Sequence, residues 1–586
     1  MRFFMDHYSL EGDFRNWNAP EWELISEADG TGLLTVKLQA VAGGAPEPFS
    51  LEFLFPRRGA VGRWSPVADQ SVKYLAPDWN GAFETGLVSC QPTVCFFSGN
   101  GANCAAFALS EVRRRLKITA GVRGDGMLRC RIDFFTQPEA PLEEYCVAMR
   151  IDRRELPFHQ VLREMAEWYA AQPEFHSPAP PEAAQEPVFS SWYAYQQEIF
   201  DHRLEAECVL ARAAGMTTLI IDDGWQTDRG GGGYAYCGDW QVAIRRFPEM
   251  KRHVEQVHAL GMRCLLWYSV PFIGCNSENF QRFRGRYLYC REDLRAWVLD
   301  PRFPEVREFL VETYARALRE WGLDGFKLDF IDCFDCADKA DVVMDTAAGR
   351  DCESVPSAVE RLLSEITEEL RSLRPDVLLE FRQPYWGPAM RRYGNMFRAG
   401  DCPHDLISNR LRTVDMRLCC GSAPVHSDMI CWSREDTPEQ AAAQLLHVLF
   451  SVPQISVKLT ELPENHRRTL AFWLQFWMEN RNTLLHGAFQ PEGPQWNYPL
   501  ISAEDSRCRI SVVYASGQTV PVELAAGQRF HLINATEDSR VAVAWSGSSR
   551  QGECFNATGE AFGRIVLRSG LQVIPLPVSG MLSLGM

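Results

Sequence analysis

After Pro187 the sequence repeats one unit: a short apolar run followed by a longer stretch of helical periodicity. Eight such runs can be read, at 188–195, 217–222, 262–269, 325–330, 377–382, 395–399, 423–428 and 454–457. Strands alternating with helices predict parallel pairing through crossovers, and eight repeats over this length close a (β/α)8 barrel rather than an open doubly wound sheet. The clearest helix starts at Pro304, a favourable first helical position. It sets Val306, Leu310, Thr313, Ala317 and Trp321 on one face and stops at Gly322. Gly215 and Gly261 end two others.

The flanks follow a different pattern. Residues 1–176 carry short alternating runs broken by Gly and Pro, which predict an N-terminal β-sandwich closed by a helix near 158–170. The stretch 177–187, rich in Pro and Ala, reads as an extended, solvated linker to a catalytic barrel at 188–487. Alternating strands return at 488–586 and predict a small C-terminal β-sandwich.

A formal charge of −16 argues against nucleic acid or an anionic membrane as the main partner and favours a small neutral ligand. The 17 tryptophans offer the flat faces on which sugar rings stack. Nineteen cysteines, an odd number without framework spacing, point to free thiols in a reducing compartment. The first residues lack a basic region followed by an apolar run, and no apolar stretch is long enough to span a bilayer, so a cytoplasmic location is expected. No cofactor or metal is expected, and a homo-oligomer is compatible with this reading.

Barrel enzymes place their chemistry at the carboxyl ends of the strands. Lys327 and Asp329 alternate at the end of the fourth run and therefore point to the same, inner face. Two charges there need partners or a task. The second run ends in Asp222-Asp223-Gly224-Trp225, two carboxylates for vicinal hydroxyls and an indole for a ring face; the third ends at Trp267. The sixth leads to Asp401 and Asp405. Asp401 is read either as a second catalytic carboxylate facing Asp329 or as a helix cap or loop ligand. Two carboxylates flanking a glycosidic bond can carry out retaining hydrolysis, one attacking the anomeric carbon and the other protonating the leaving oxygen. Gly230 to Gly233 lack the Lys-Ser/Thr of a phosphate loop and read as a mobile rim. Cys333 and Cys336, with Asp338 and Cys352 nearby, form one Cys-x-x-Cys without a second pair and read as ordinary thiols. His426-Ser427-Asp428 holds triad residue types, but three consecutive residues in a strand cannot face one another, so pocket lining is expected.

Taken in order, Asp222-Asp223-Gly224-Trp225, Gly238-Asp239-Trp240 with Phe247-Pro248, Leu266-Trp267, Lys327-Leu328-Asp329 and the Asp401 loop resemble the α-galactosidases of glycoside hydrolase family 36. The resemblance implies a metal-free retaining hydrolase acting on terminal α-linked galactose or N-acetylgalactosamine. Asp329 is then the nucleophile and Asp401 the acid/base. Asp222, Asp223, Trp267 and Lys327 then lie in the sugar site; Trp225, Arg382 and Asp405 are read as substrate-binding as well, Asp405 one residue later than the family's loop pattern expects. After the fifth run the family has Cys followed by glycines, whereas this chain reads Glu380-Phe381-Arg382-Gln383-Pro384-Tyr385-Trp386. Arg382 there either pairs with an anionic or modified sugar or holds a catalytic carboxylate. The alternatives on the same scaffold are an α-N-acetylgalactosaminidase, another α-glycosidase or a transglycosylase. A non-hydrolytic carbohydrate-binding barrel is the reading from another class.

Overall fold

The computed structural model describes residues 1–5, 7–26, 29–41, 44–67, 73–229, 233–336 and 349–585. Eight parallel strands form the central sheet: Val188–Ser190, Thr218–Ile221, Arg263–Ser269, Gly325–Asp329, Leu378–Arg382, Met396–Arg398, Val425–His426 and Gln454–Ile455. The first pairs with the second and with the eighth, and backbone bonds from Ser427 N–H to Val452 O and from Val452 N–H to Val425 O close the ring between seventh and eighth. All eight runs thus become the strands of one barrel. Six of the eight stop short of the end of their apolar run, where the chain turns into the mouth; after Ser190, for example, Trp192–Tyr195 coils into a helical turn.

The helix expected from Pro304 spans Pro304–Trp321 and ends on Gly322 at φ +72°. Two connections differ from a simple repeat. No α-helix joins the fifth and sixth strands, only the 3-10 turn Met390–Arg392. Between the third and fourth strands lies a small antiparallel sheet of Phe272–Gly274, Ala296–Leu299 and Tyr287–Arg291. Its strands are short and aromatic and give no helical signal.

Two six-stranded sheets pack face to face in the N-terminal region around Phe49, Phe53, Phe107, Phe134 and Tyr145, and the closing helix spans Phe158–Ala170. Beyond the long helix Glu464–His486, a seven-stranded and a three-stranded sheet enclose an aliphatic core that includes Val543, Leu532 and Leu582. The 177–187 stretch is not solvated throughout. Glu182–Gln185 form a 3-10 turn, and Ala183 and Ala184 pack with Val188, Ile220, Leu265, Leu378 and Met396. These are inward positions of five strands, so the turn plugs the amino-terminal end of the barrel and leaves the other end for the site.

Candidate active site

The fourth strand can lie where it does because it begins with glycine: a Cβ on Gly325 would meet Leu378 O at 2.0 Å. Its register sets Lys327 between Trp267 and Glu380, with Asp329 one layer higher opposite Ser269. Arg382 lies opposite Arg398, and Arg398 opposite His426. Two adjacent guanidinium groups in one layer are tolerated only where carboxylates surround them.

Asp329 is 7% exposed. Its Oδ1 accepts from Arg382 Nε at 2.6 Å and from Phe330 N at 2.8 Å, and its Oδ2 accepts from Trp267 Nε1 at 3.0 Å. Burial alone would raise its pKa. The positive charges of Arg382, Lys327 and Arg398 together with the indole bond outweigh burial and hold the carboxyl well below the usual range. Lys327 gives its direct bond to Asp222, Nζ to Oδ2 at 2.7 Å, and acts on Asp329 only through its field.

Asp222 also accepts at Oδ1 from the Asp223 backbone, and Ser191 Oγ holds the Asp222 N–H. Asp223 is met by two amides, Gln226 Nε2 on Oδ1 and Gln197 Nε2 on Oδ2, each at 2.6 Å. Burial raises its pKa to about 6. The turn that presents the pair needs Gly224, which sits at φ +118° with its would-be Cβ 2.7 Å from Gln197 O.

On the opposite side, Arg398 is 1% exposed. Its Nη1 donates to Asp401 Oδ1 at 2.8 Å and to Asp428 Oδ1 at 2.6 Å, and its Nε lies 3.6 Å from Glu380 Oε1. The other oxygen of Asp428 accepts from Tyr193 Oη and from Cys402 N. Asp401 has a side chain 56% exposed to the mouth. Burial and the charge of Asp329 raise its pKa, but Arg398 and Lys327 prevail and lower it. Burial raises Glu380 and Asp428 despite Arg398.

The structure therefore brings together Asp222, Asp223, Trp267, Lys327, Asp329, Arg382 and Asp401. It does not bring Trp225 to the mouth. That indole is fully buried, packed against Trp240, Tyr268 and Trp321, and donates to Trp267 O at 2.8 Å. It supports Trp267 from behind. Asp405 caps the helix Leu406–Cys419, accepting Ser408 N at 2.9 Å and Ser408 Oγ at 2.6 Å. His426, Ser427 and Asp428 are fully buried rather than lining a pocket. Burial raises the Cys333 thiol to about 12, with Asp332 adding to it, and among the described residues no group of three or more His, Cys, Asp or Glu is arranged to hold a metal. Gly230 to Gly232 and Asp338 lie outside the described residues.

Sequence reasoning gave no role to Arg398, Glu380, Asp332 or Tyr193, and read Asp428 as pocket lining rather than as a partner of Arg398. One signal was available: Glu380 and Arg382 alternate in an apolar run just as Lys327 and Asp329 do. Arg398 and Asp428 matter through each other, and their runs are far apart in the sequence.

Two cavities open at the mouth. One, of about 360 Å3, is lined by Trp192, Gln197, Glu198, Asp223 and Tyr234; the other, of about 390 Å3, by Tyr193, Pro403, His404, Trp432 and Lys458. A third, of about 370 Å3, lies between sandwich and barrel against Leu87, Arg115, Phe334 and Val355; neither Asp329 nor Asp401 lines any of the three, and Asp223 lines the first. The carboxylates make the mouth the candidate site.

Residues 178–380 match the family model Melibiase, which covers the first four strands of the barrel, the start of the fifth and the Lys327/Asp329 pair. That part of the barrel is similar to the Melibiase family model, which spans about a third of the chain. The chain is similar, at 27% identity over 139 residues, to the "A type blood alpha-D-galactosamine galactosaminidase" of Flavonifractor plautii, and at 27% over 148 residues to "Alpha-galactosidase 2" of Pediococcus pentosaceus. The matches cover 20% and 24% of this chain and span 12% and 20% of those relatives' lengths. Among solved structures, an α-galactosidase from Lactobacillus brevis superposes at TM-score 0.63 with 14% identity, covering 99% of this chain and 85% of that one. A family 36 α-galactosidase from Geobacillus stearothermophilus gives 0.64 at 14% identity over 99% and 81%. A xylosidase from Aspergillus niger gives 0.61 at 12% identity over 97% and 89%, so the fold is shared across sugar preferences. No helix among the described residues is long and apolar enough to cross a membrane.

Proposed function

We propose that the protein is a retaining, exo-acting α-glycosidase for terminal α-linked galactose or a modified galactose, with Asp329 as nucleophile and Asp401 as acid/base. The observation that carries this reading is Asp329 at the end of the fourth strand with the mouth-facing Asp401 after the sixth, each bonded by its own arginine. Asp222, Asp223 and Lys327 supply hydrogen-bonding groups for sugar hydroxyls. The electrostatics suit the change of role between the steps. Asp329's negative charge raises the pKa of Asp401, so when Asp329 becomes a neutral ester that contribution vanishes and Asp401 passes from acid to base. A sugar seated over Asp401 removes water from it and favours the protonated form that the first step needs.

Asp329→Ala is expected to abolish turnover of aryl α-galactosides, with added azide restoring a glycosyl azide of inverted anomeric configuration; wild-type activity in this variant would remove Asp329 from the role. Asp401→Asn should cost far more on alkyl or oligosaccharide α-galactosides than on activated aryl ones, because only the former need protonation. For the same reason wild-type kcat/KM on poor leaving groups should fall from mildly acidic to neutral pH, while activated substrates change less. Equal losses on both would count against Asp401.

A second reading, the same chemistry on an α-linked amino sugar or N-acetylated one, is favoured by the galactosaminidase relative. Aryl α-galactoside, α-galactosaminide and α-N-acetylgalactosaminide tested side by side separate the readings. Turnover only with a sugar acceptor would indicate a transglycosylase, and binding without turnover a carbohydrate-binding barrel.

A further inference from the structure

Arg382 is held on every side by this chain. Nε donates to Asp329 Oδ1 at 2.6 Å, Nη1 to Gln383 O at 2.7 Å and Nη2 to Asp332 Oδ1 at 3.3 Å. The guanidinium lies 5.2 Å from the centre of the Phe330 ring and 5.5 Å from that of Tyr385, and the side chain is 16% exposed. A fork engaged by two carboxylates and a backbone carbonyl is not a receptor for an anionic sugar. Its strongest contact is the carboxylate that reacts.

We propose that Arg382 is a positioning residue that shifts the barrier between the two half-reactions, weakening Asp329 as a nucleophile and improving it as a leaving group. This rests on Asp329 being the nucleophile. In the first step an Asp329 oxygen bonds to the anomeric carbon, the glycosidic C–O bond breaks, and the leaving oxygen takes the proton of Asp401. The carboxylate's charge is consumed, and with it the attraction to Arg382, so the arginine opposes this step. In the second, a water oxygen bonds to the anomeric carbon and passes a proton to Asp401, while the electrons of the Asp329 C–O bond return to the carboxylate. Charge reappears beside a guanidinium already in place, which favours this step. Asp332 shares the same cation and dilutes its hold on Asp329.

The test uses the full chain and a series of aryl α-galactosides, or of α-galactosaminides if the wild type prefers them. For Arg382→Gln, kcat should fall about tenfold and KM with it, leaving kcat/KM within about threefold, because a neighbouring cation is worth 1–3 pKa units to a carboxylate. The variant's kcat should become independent of the aryl leaving group and rise with added azide. The acid limb of kcat/KM should move to higher pH, since Asp329 protonates more easily without its cation. Arg382→Lys should be intermediate on each readout. Asp332→Asn, which leaves Arg382 wholly to Asp329, should do the reverse: lower kcat/KM, no fall in KM, no response to azide. A purely structural arginine would lower kcat and kcat/KM together, with azide inert and the pH limb fixed, and that result overturns the proposal. If Arg382→Gln does not fold, Arg382→Lys and Asp332→Asn decide, and unchanged partitioning and pH limb in both overturn it. A folded wild type that cleaves none of the glycosides would instead fail the glycosidase reading and take this proposal with it.

Discussion

Asp223 differs from its neighbour in one respect that sets its chemistry. Lys327 pairs with Asp222, whereas Asp223 is bonded by neutral amides of Gln197 and Gln226. Burial then raises its pKa to about 6, so the folded state binds a proton more tightly than the unfolded chain does. The contribution to stability is fully present below the unfolded value near 4 and is lost as pH rises to about 6, amounting to about 3 kcal/mol for a two-unit shift. Asp223→Asn should remove that decline, so urea midpoints for wild type and variant, compared between about pH 4 and pH 7, should diverge in favour of the variant. Parallel pH profiles would show that Asp223 stays ionised with a cation partner. The tandem Asp222-Asp223 was visible in the sequence, but residue type could not say which of the two would be paired. That was decided by Lys327, 105 positions from Asp222.

At the scale of the element, strand ends proved easier to read than loop residues. Lys327 and Asp329 share a face because strand periodicity is two, which holds wherever the strand is placed. Asp405 has no such rule behind it. The loop pattern reads it as a sugar-binding residue, and the fold instead uses it as the N-cap of Leu406–Cys419. Asp405→Ala is expected to cost about 1 kcal/mol of stability with little change in kcat/KM; a large loss of activity at normal stability would return Asp405 to the site. Trp225 follows the same logic in reverse. Next to two carboxylates it looked like a sugar platform, yet the turn at Gly224 sends the indole into the cluster with Trp240 and Tyr268.

Across the whole molecule, the sandwiches are tied to the barrel by buried polar contacts. Lys73 and Trp64 of the N-terminal region and Tyr498 beyond the barrel converge on Asp415 of Leu406–Cys419: Nζ to Oδ2 at 2.7 Å, Nε1 to Oδ1 at 2.9 Å and Oη to Oδ1 at 2.6 Å. Asp415→Asn removes the charge of the carboxylate on which these three donors converge and should cost about 1–3 kcal/mol. Unfolding followed by tryptophan fluorescence together with limited proteolysis should then show the N-terminal region releasing earlier than in the wild type; coincident wild-type-like transitions would mean that the regions are held by apolar packing alone. The sequence by itself determined the eight strands, the flanking sandwiches, and the face on which Lys327 and Asp329 lie, because these depend on local periodicity and turn chemistry. Only the tertiary structure decided which charges meet: Arg382 with Asp329, Lys327 with Asp222, and Arg398 with Asp401 and Asp428. Coulomb interactions depend on distance in space, and closing the barrel is what turns distant strand ends into neighbours.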